Sequence, residues 1–362
     1  MFSPKTRRNL LKVIPFGIIT CLSTIIYVLI EKGILGDYAS YPSTGNPYVF
    51  NLVLPPVASM VLGLLMGAFE VLYLNRWFQK NSFLKKIIFK TAIYMFLITG
   101  SIMFISIIGH AYEMGVSPWD KEVLVYATNF FSNFAFWSIE IFLAATISIC
   151  LFYTEVSDNI GHGVLLNFFT GKYHQPIEEE RIFMFLDMKS STAIAEKLGH
   201  IQYFKLLKEY YSDLSDPIVN YGGEIYQYVG DEVVVSWKYN AGGSNNNSLN
   251  CFFEMKALLK NQSKKYESVF GVIPSFKAGI HLGKVTTGEI GAIKKDIIFS
   301  GDVLNTTARI QGLCNKYKVD LLTSEKLIMA LDISKEFQLK ELEEVELRGR
   351  NEKIKLFAII KP

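Results

Sequence analysis

Four mostly apolar stretches in the first 152 positions constrain this chain more than any other feature: Val13 to Ile30, Asn51 to Leu74, Ile87 to Gly109 and Phe130 to Phe152. A bilayer core is crossed by about 20 such residues in a helix, so each stretch is long enough to span it. The expected organisation is a four-helix transmembrane domain over 1–152, a connector over 153–177 and a soluble domain over 178–362. Lys5, Arg7, Arg8 and Lys12 precede the first stretch as they would in a signal peptide. The run is long, however, and lacks a small-residue cleavage site before further spans, so it reads as an anchor.

Charge placement gives the orientation. The 75–90 connection carries Arg76, Lys80, Lys85, Lys86 and Lys90 with no acid, whereas the 31–49 and 110–129 connections are slightly acidic. The positive-inside rule then predicts a multi-pass protein of the cell membrane, held in the lipid bilayer with both termini cytoplasmic. The net charge of +3 mostly reflects this bias, so the sequence offers no support for a nucleic-acid partner. Cys21, Cys150, Cys251 and Cys314 are scattered without C-x-x-C spacing, which implies neither a disulfide framework nor a zinc site.

Ionisable residues inside a bilayer are costly and usually face a bundle interior. Glu70 and Glu140 lie within the second and fourth stretches, and His110 lies at the outer end of the third. Two readings stand: a sensor for a proton, ion or small ligand, or interhelical hydrogen bonds that fix the bundle.

The pattern changes after the connector. Arg181 to Leu186 (RIFMFL) reads as a fully apolar strand, and Tyr203, Leu206, Leu207, Tyr210, Leu214 and Ile218 recur at helical spacing. A hairpin over 224–237, a helix near 249–263, strands near 275–282 and 284–290, a helix from about 303 to 316, and strand–helix–strand–strand complete an α+β sandwich. The polar tract GGSNNNS at 242–248 reads as a surface loop.

Three short constellations carry chemistry. Asp187 ends the first strand, and the chain turns through Met188, Lys189, Ser190, Ser191 and Thr192 into a helix. This puts an acid beside free helix amides, where a metal and a phosphate can sit together; an ordinary helix cap has the same signature. Asp231 stands in YVGDEV at the hairpin tip. A sheet that sets the first strand beside that hairpin brings the two acids together, and Mg²⁺ ions would relieve their repulsion. Alone, Gly-Asp is also a common solvated turn. In GDVLNTTARIQ, Asn305 and Arg309 lie four apart on one helix face, able to reach one phosphate-bearing ligand or to form a surface hydrogen bond.

In this order FLDMKSST, YVGDEV and GDVLNTTARIQ resemble the catalytic domain of the class III nucleotidyl cyclases, the adenylate and guanylate cyclase family, over 178–362. The resemblance implies a ferredoxin-like, palm-like α+β fold and conversion of ATP to 3′,5′-cyclic AMP and pyrophosphate. It also implies two Mg²⁺ or Mn²⁺ ions per site and a homodimer with sites between protomers. Asp187 and Asp231 correspond to the metal aspartates, with the Met188 carbonyl as a further ligand. Asn305 and Arg309 correspond to the pair that orients the ribose and stabilises the transition state. Arg348 and Arg350, in ELRGRNEK, are candidates to hold phosphates, with plain surface charge as the other reading.

Base choice departs from the family pattern. The two base-reading positions hold Gln227 and Ile298, which match neither the Lys and Asp of adenylate cyclases nor the Glu and Cys of guanylate cyclases. A carboxamide can pair with adenine or, turned over, with guanine, and cytosine presents the adenine pattern, so GTP and pyrimidine triphosphates stand as alternatives to ATP. VGDEV also resembles the diguanylate cyclase signature, but those enzymes lack the N-x-x-x-R helix. A degenerate regulatory module would be expected to have lost one of the four central residues, and all four are present.

Overall fold

The computed structural model describes residues 3–36, 47–78, 81–161, 163–333, 336–346 and 353–361. The chain divides into two units, one of Thr6–Leu166 and one formed mainly by Asn167–Pro362.

The first unit contains α1 (Pro4–Leu35), α2 (Tyr48–Phe69), α3 (Phe83–Met114) and α4 (Phe134–Ile160), with a further helix over Lys121–Ser132. Each of α1 to α4 includes an 18-residue window of mean hydropathy 1.8 or more, which makes all four long and apolar enough to cross a membrane. The fourth apolar stretch of the sequence thus divides at Asn133, and its helix runs on to Ile160. Small residues let α1 and α2 meet closely. A Cβ added at Gly63 would lie 2.3 Å from Thr20 Oγ1, and that hydroxyl donates to the Ser59 carbonyl at 2.8 Å.

A single π turn, Glu70–Leu74, continues α2 and turns Glu70 into an ionic network. Lys90 Nζ donates to Glu70 Oε1 at 2.5 Å, to Glu155 Oε1 at 3.0 Å and to Asn75 Oδ1 at 3.3 Å. Tyr94 donates to Glu70 Oε2 at 3.0 Å, Lys86 reaches Glu155 Oε2 at 2.9 Å, and Lys12 pairs with Asp158. Lys90 is therefore no connection charge, as its place in the sequence implied: it is fully buried between carboxylates of two other helices. Glu140 is buried and accepts from Thr99 at 2.8 Å, while its Oε1 has no hydrogen-bond partner among the described residues. His110 lies 3.7 Å from Glu113 on the same helix.

The second unit is built on a mixed sheet with strands β1 (Ile177–Met188), β2 (Glu224–Val229), β3 (Glu232–Lys238), β4 (Phe276–Ile290), β5 (Asp296–Ser300), β6 (Leu321–Ser324), β7 (Gln338–Glu346) and β8 (Lys353–Ile360). The order is β2-β3-β1-β4-β6-β8-β7, with β5 paired to β4. Central β1 is buried on both faces, which explains its unbroken apolar run. Ile182, Met184 and Leu186 join the core formed with α6 (His200–Asn220) and α7 (Asn247–Asn261), α5 being the short Ser191–Leu198 helix before them. Phe183 and Phe185 point to the other face, where Val303 of α8 (Asp302–Gly312) packs.

Three expected elements differ in detail. The two strands expected at 275–290 are one strand, because Gly283 does not break the ladder; its bare Cα instead admits the Val303 side chain, 2.8 Å from where a Cβ would stand. The helix expected over 303–316 ends at Gly312, and a separate turn follows over Cys314–Tyr317. The GGSNNNS tract is no surface loop. Gly242 is buried against Trp237, and Asn246, at φ 54°, is buried with its amide on the Asp332 carbonyl at 2.7 Å.

Candidate active site

Strand alternation decides where Asp187 points. It continues the Phe183, Phe185 series, so it emerges at the end of β1 on the α8 face. Its register partners are Glu232 on β3 and Lys277 on β4, so the hairpin does lie beside the first strand. The hairpin tip is fixed from below: Gly230 adopts φ 63°, and Tyr211 of α6 donates to its carbonyl at 2.9 Å while its ring packs, tilted, on Tyr228 with centroids 4.5 Å apart. Asp231 follows directly and comes within interaction range of Asp187.

The electrostatics express that crowding. Burial pushes the Asp187 carboxyl above its usual range, Lys277 opposes the shift, and Asp231 adds to it. Glu232 is raised by burial and then by Asp187 and Asp231. Lys277 Nζ lies 3.2 Å from Asp187 Oδ2, and Gln311 Nε2 donates to the same oxygen at 3.1 Å. Crowded hard oxygen donors suit a divalent cation such as Mg²⁺, which takes one or two carboxylates and completes its shell with water or phosphate oxygens. Among the described residues no group of three or more His, Cys, Asp or Glu forms a complete metal cage.

Past β1 the chain turns sharply. Met188 is buried, Lys189 donates its amide to the Ser275 carbonyl at 2.8 Å, and Ser190 takes the left-handed conformation at φ 55° before α5 begins at Ser191. A non-glycine residue in that region is uncommon and clusters at functional sites. Ser190 and Thr192 are exposed beside the first turn of α5, and Ser191 is half-buried. The Lys189 ammonium is engaged elsewhere, in an ion pair with Asp320 that Lys256 shares.

The Asn305 and Arg309 pair lies differently. Val303, Thr306, Thr307, Ile310 and Gln311 form the buried stripe of α8. At about 100° per residue, Asn305 and Arg309 fall on the opposite side of the helix. Asn305 is exposed and Arg309 half-buried. Gln311, not Arg309, is the α8 residue that touches Asp187.

Gln227 is exposed on edge strand β2, opposite Val234, beside a bulge that frees Tyr226. Tyr226 packs on Phe299 of β5 at 4.8 Å, so Gln227 and Ile298 each stand one residue from a shared contact. Arg348 and Arg350 lie outside the described residues. Sequence reasoning missed Lys277 and Gln311. The Gln311 position closes the quoted GDVLNTTARIQ motif, but only the helix phase and the β1–β4 register reveal what either residue touches.

A mixed sheet with two acids at the adjoining ends of β1 and the β2–β3 hairpin, and an outward Asn-x-x-x-Arg on α8, defines the class. Residues 173–361 match the family model described as the adenylate and guanylate cyclase catalytic domain, more than half of the chain, and the chain belongs to this family. Among curated relatives, Adenylate cyclase 2 of Rhizobium meliloti is 31% identical over 222 residues, 61% of this chain and 61% of that protein. The Adenylate cyclase of Anabaena cylindrica is 26% identical over 182 residues, 49% of this chain and 36% of that protein. This chain therefore spans 61% and 36% of those relatives' lengths. Among solved structures, a bacterial light-regulated adenylyl cyclase shares the fold with a TM-score of 0.53 at 20% identity, covering 63% of this chain and 66% of that one.

Proposed function

We propose that this chain is a membrane-bound adenylate cyclase that converts ATP to 3′,5′-cyclic AMP and pyrophosphate. The observation that carries the proposal is the convergence of Asp187 and Asp231 beside the start of α5, in a chain that keeps Asn305 and Arg309 four apart on α8. Two Mg²⁺ or Mn²⁺ ions held by Asp187, Asp231 and the Met188 carbonyl would supply Lewis acidity for the attacking ribose 3′-hydroxyl and the departing pyrophosphate.

The protein's own part is positioning and charge. Amides at the start of α5, with Ser190, Ser191 and Thr192, take phosphate oxygens. Asn305 orients the ribose, and Arg309 offers its guanidinium where negative charge develops on the α-phosphoryl group. The 3′-oxygen forms a bond to the α-phosphorus, the bond to pyrophosphate breaks, and the hydroxyl proton leaves to solvent. Arg348 or Arg350 completes the phosphate contacts.

The outward face of α8 supports a homodimer. Within one chain Asp187 meets the buried side of α8, while Asn305 and Arg309 face away from it. A second copy supplies the missing half, and catalytic residues 178–362 work as a pair behind the connector at 153–177. Both chain ends are cytoplasmic, and the helical unit acts as sensor or regulator.

Gln227 favours a second reading of the substrate. An exposed carboxamide with Ile298 as its companion accepts guanine or cytosine as readily as adenine, so GTP and pyrimidine triphosphates remain competitors. The test is incubation of the purified chain with each of the four triphosphates and Mg²⁺ or Mn²⁺, followed by mass identification of the product. Cyclic AMP that disappears with Asp231→Ala supports the assignment. Undiminished product from Asp231→Ala overturns the metal reading, and a different cyclic nucleotide overturns the substrate.

A further inference from the structure

Among the described residues two donors reach Asp187, and both meet the same oxygen. Gln311 Nε2 lies 3.1 Å and Lys277 Nζ 3.2 Å from Asp187 Oδ2. Each donor is itself held in place. Gln311 is 7% exposed, on the stripe of α8 that presses against β4. Its backbone nitrogen lies 2.4 Å from where a Cβ on Gly279 would stand, so this part of α8 rests directly on the strand. The Lys277 side chain is 12% exposed, faces Asp187 across the β1–β4 ladder, and donates to Asn315 Oδ1 at 3.2 Å.

Two fixed donors on one carboxylate oxygen remove the freedom of the carboxylate to rotate. Outer partners of this kind set the orientation of metal-binding carboxylates, and their loss typically costs about 10–100-fold in metal affinity. The two donors differ in charge. A neutral amide can hold an oxygen without opposing a cation nearby. An ammonium at the same oxygen offsets the charge of Asp187, Asp231 and Glu232, but it repels an incoming divalent ion.

We propose that Gln311 and Lys277 are the positioning residues of Asp187. Gln311 fixes the carboxylate so that its other oxygen is offered to a divalent cation, and Lys277 is the resident counter-charge that the cation must work against. This rests on the reading of Asp187 as a metal ligand. It predicts opposite effects at the two positions. Gln311→Leu frees the carboxylate and weakens binding. Lys277→Gln removes the repulsion and tightens binding.

The experiment uses the full chain purified in detergent with Mn²⁺ alone, bound ion being counted from loss of the free-ion electron paramagnetic resonance signal. Wild type, Asp187→Asn, Gln311→Leu and Lys277→Gln are compared after thermal unfolding has established that each is folded. The expected result is affinity about 10–100-fold weaker in Gln311→Leu and about threefold or more tighter in Lys277→Gln. Wild-type affinity in a folded Gln311→Leu protein overturns the proposal, as does unchanged or weaker binding in Lys277→Gln. If Gln311→Leu does not fold, Lys277→Gln decides alone. Wild-type binding by Asp187→Asn would instead overturn the metal assignment itself. Loss of Mn²⁺ in Asp187→Asn with wild-type affinity in Gln311→Leu would leave that assignment standing and remove only the positioning role.

Discussion

Adding one methyl group at Gly279 forces α8 away from the sheet. The new Cβ would stand 2.4 Å from Gln311 N, 2.8 Å from Gln311 Cα and 2.8 Å from the Thr307 carbonyl oxygen. All three are backbone atoms, so no side chain can swing aside. Reaching even the shortest tolerated contact of 3.0 Å takes 0.6 Å (3.0 − 2.4), and ordinary contact at 3.4 Å takes 1.0 Å (3.4 − 2.4). Overpacking of this kind costs about 1–3 kcal/mol, and with backbone on one side the upper half of that range applies. For a domain of this size 2–3 kcal/mol corresponds to a fall in Tm of about 5–10 °C. The displaced element carries Gln311, Asn305 and Arg309, so turnover should fall by about 100-fold, the usual effect of a misplacement near 1 Å. Gly312→Ala is the matched control: it lies at the end of the same helix with nothing within 4 Å of the added Cβ. It should leave turnover unchanged and stabilise by up to about 1 kcal/mol. The assay is thermal unfolding of the purified chain alongside cyclic nucleotide production. A Gly279→Ala protein with wild-type Tm and turnover would refute the view that α8 rests on the sheet at this point.

Three further outcomes are expected. Lys90→Met leaves Glu70 and Glu155 facing each other without their shared ammonium, and removal of one partner from a buried pair costs about 3–5 kcal/mol; thermal unfolding in detergent should fall sharply, and Lys90→Met combined with Glu70→Gln should recover part of the loss. Asp187→Asn should raise the metal-free Tm at pH 7, because a carboxylate with a raised pKa is penalised in its charged form; the gain should shrink as pH falls and wild-type Asp187 takes up its proton, and a gain that grows toward low pH would contradict this. Asp320 behaves oppositely: burial alone would raise its pKa, but Lys189 and Lys256 outweigh burial and hold it below the usual range. Asp320→Asn should therefore cost about 1 kcal/mol at neutral pH, and the deficit should vanish as pH falls through the depressed wild-type pKa.

Much of this was legible from spacing. Length and hydropathy identified the four helices, and the apolar IFMFL run after Arg181 identified a strand that proves buried on both faces. Asp187 and Asp231 could be paired in advance because strand ends and hairpin tips are local features that a single register brings together. Contacts set by helix phase and by burial were not legible. Lys90 looked like a topological charge because sequence cannot show that a π turn directs Glu70 toward it. Lys277 looked like the start of a strand, and its role depends on facing Asp187 across a ladder between residues ninety positions apart. The GGSNNNS tract misled for a related reason: Asn tolerates the left-handed conformation, so a polar run can serve as a buried bend that caps α7.

In the proposed homodimer, the opposed faces of α8 would make it answerable to two centres at once. Its inner side grips Asp187 of its own chain through Gln311, and its outer side presents Asn305 and Arg309. In the proposed pair those outer residues serve the neighbouring chain's acids, so each centre is assembled from one helix's front and the other helix's back. Filling one centre would then bear, through Gln311, on the helix that equips its twin. In that pair, nucleotide binding curves should depart from simple hyperbolas until Gln311 is replaced.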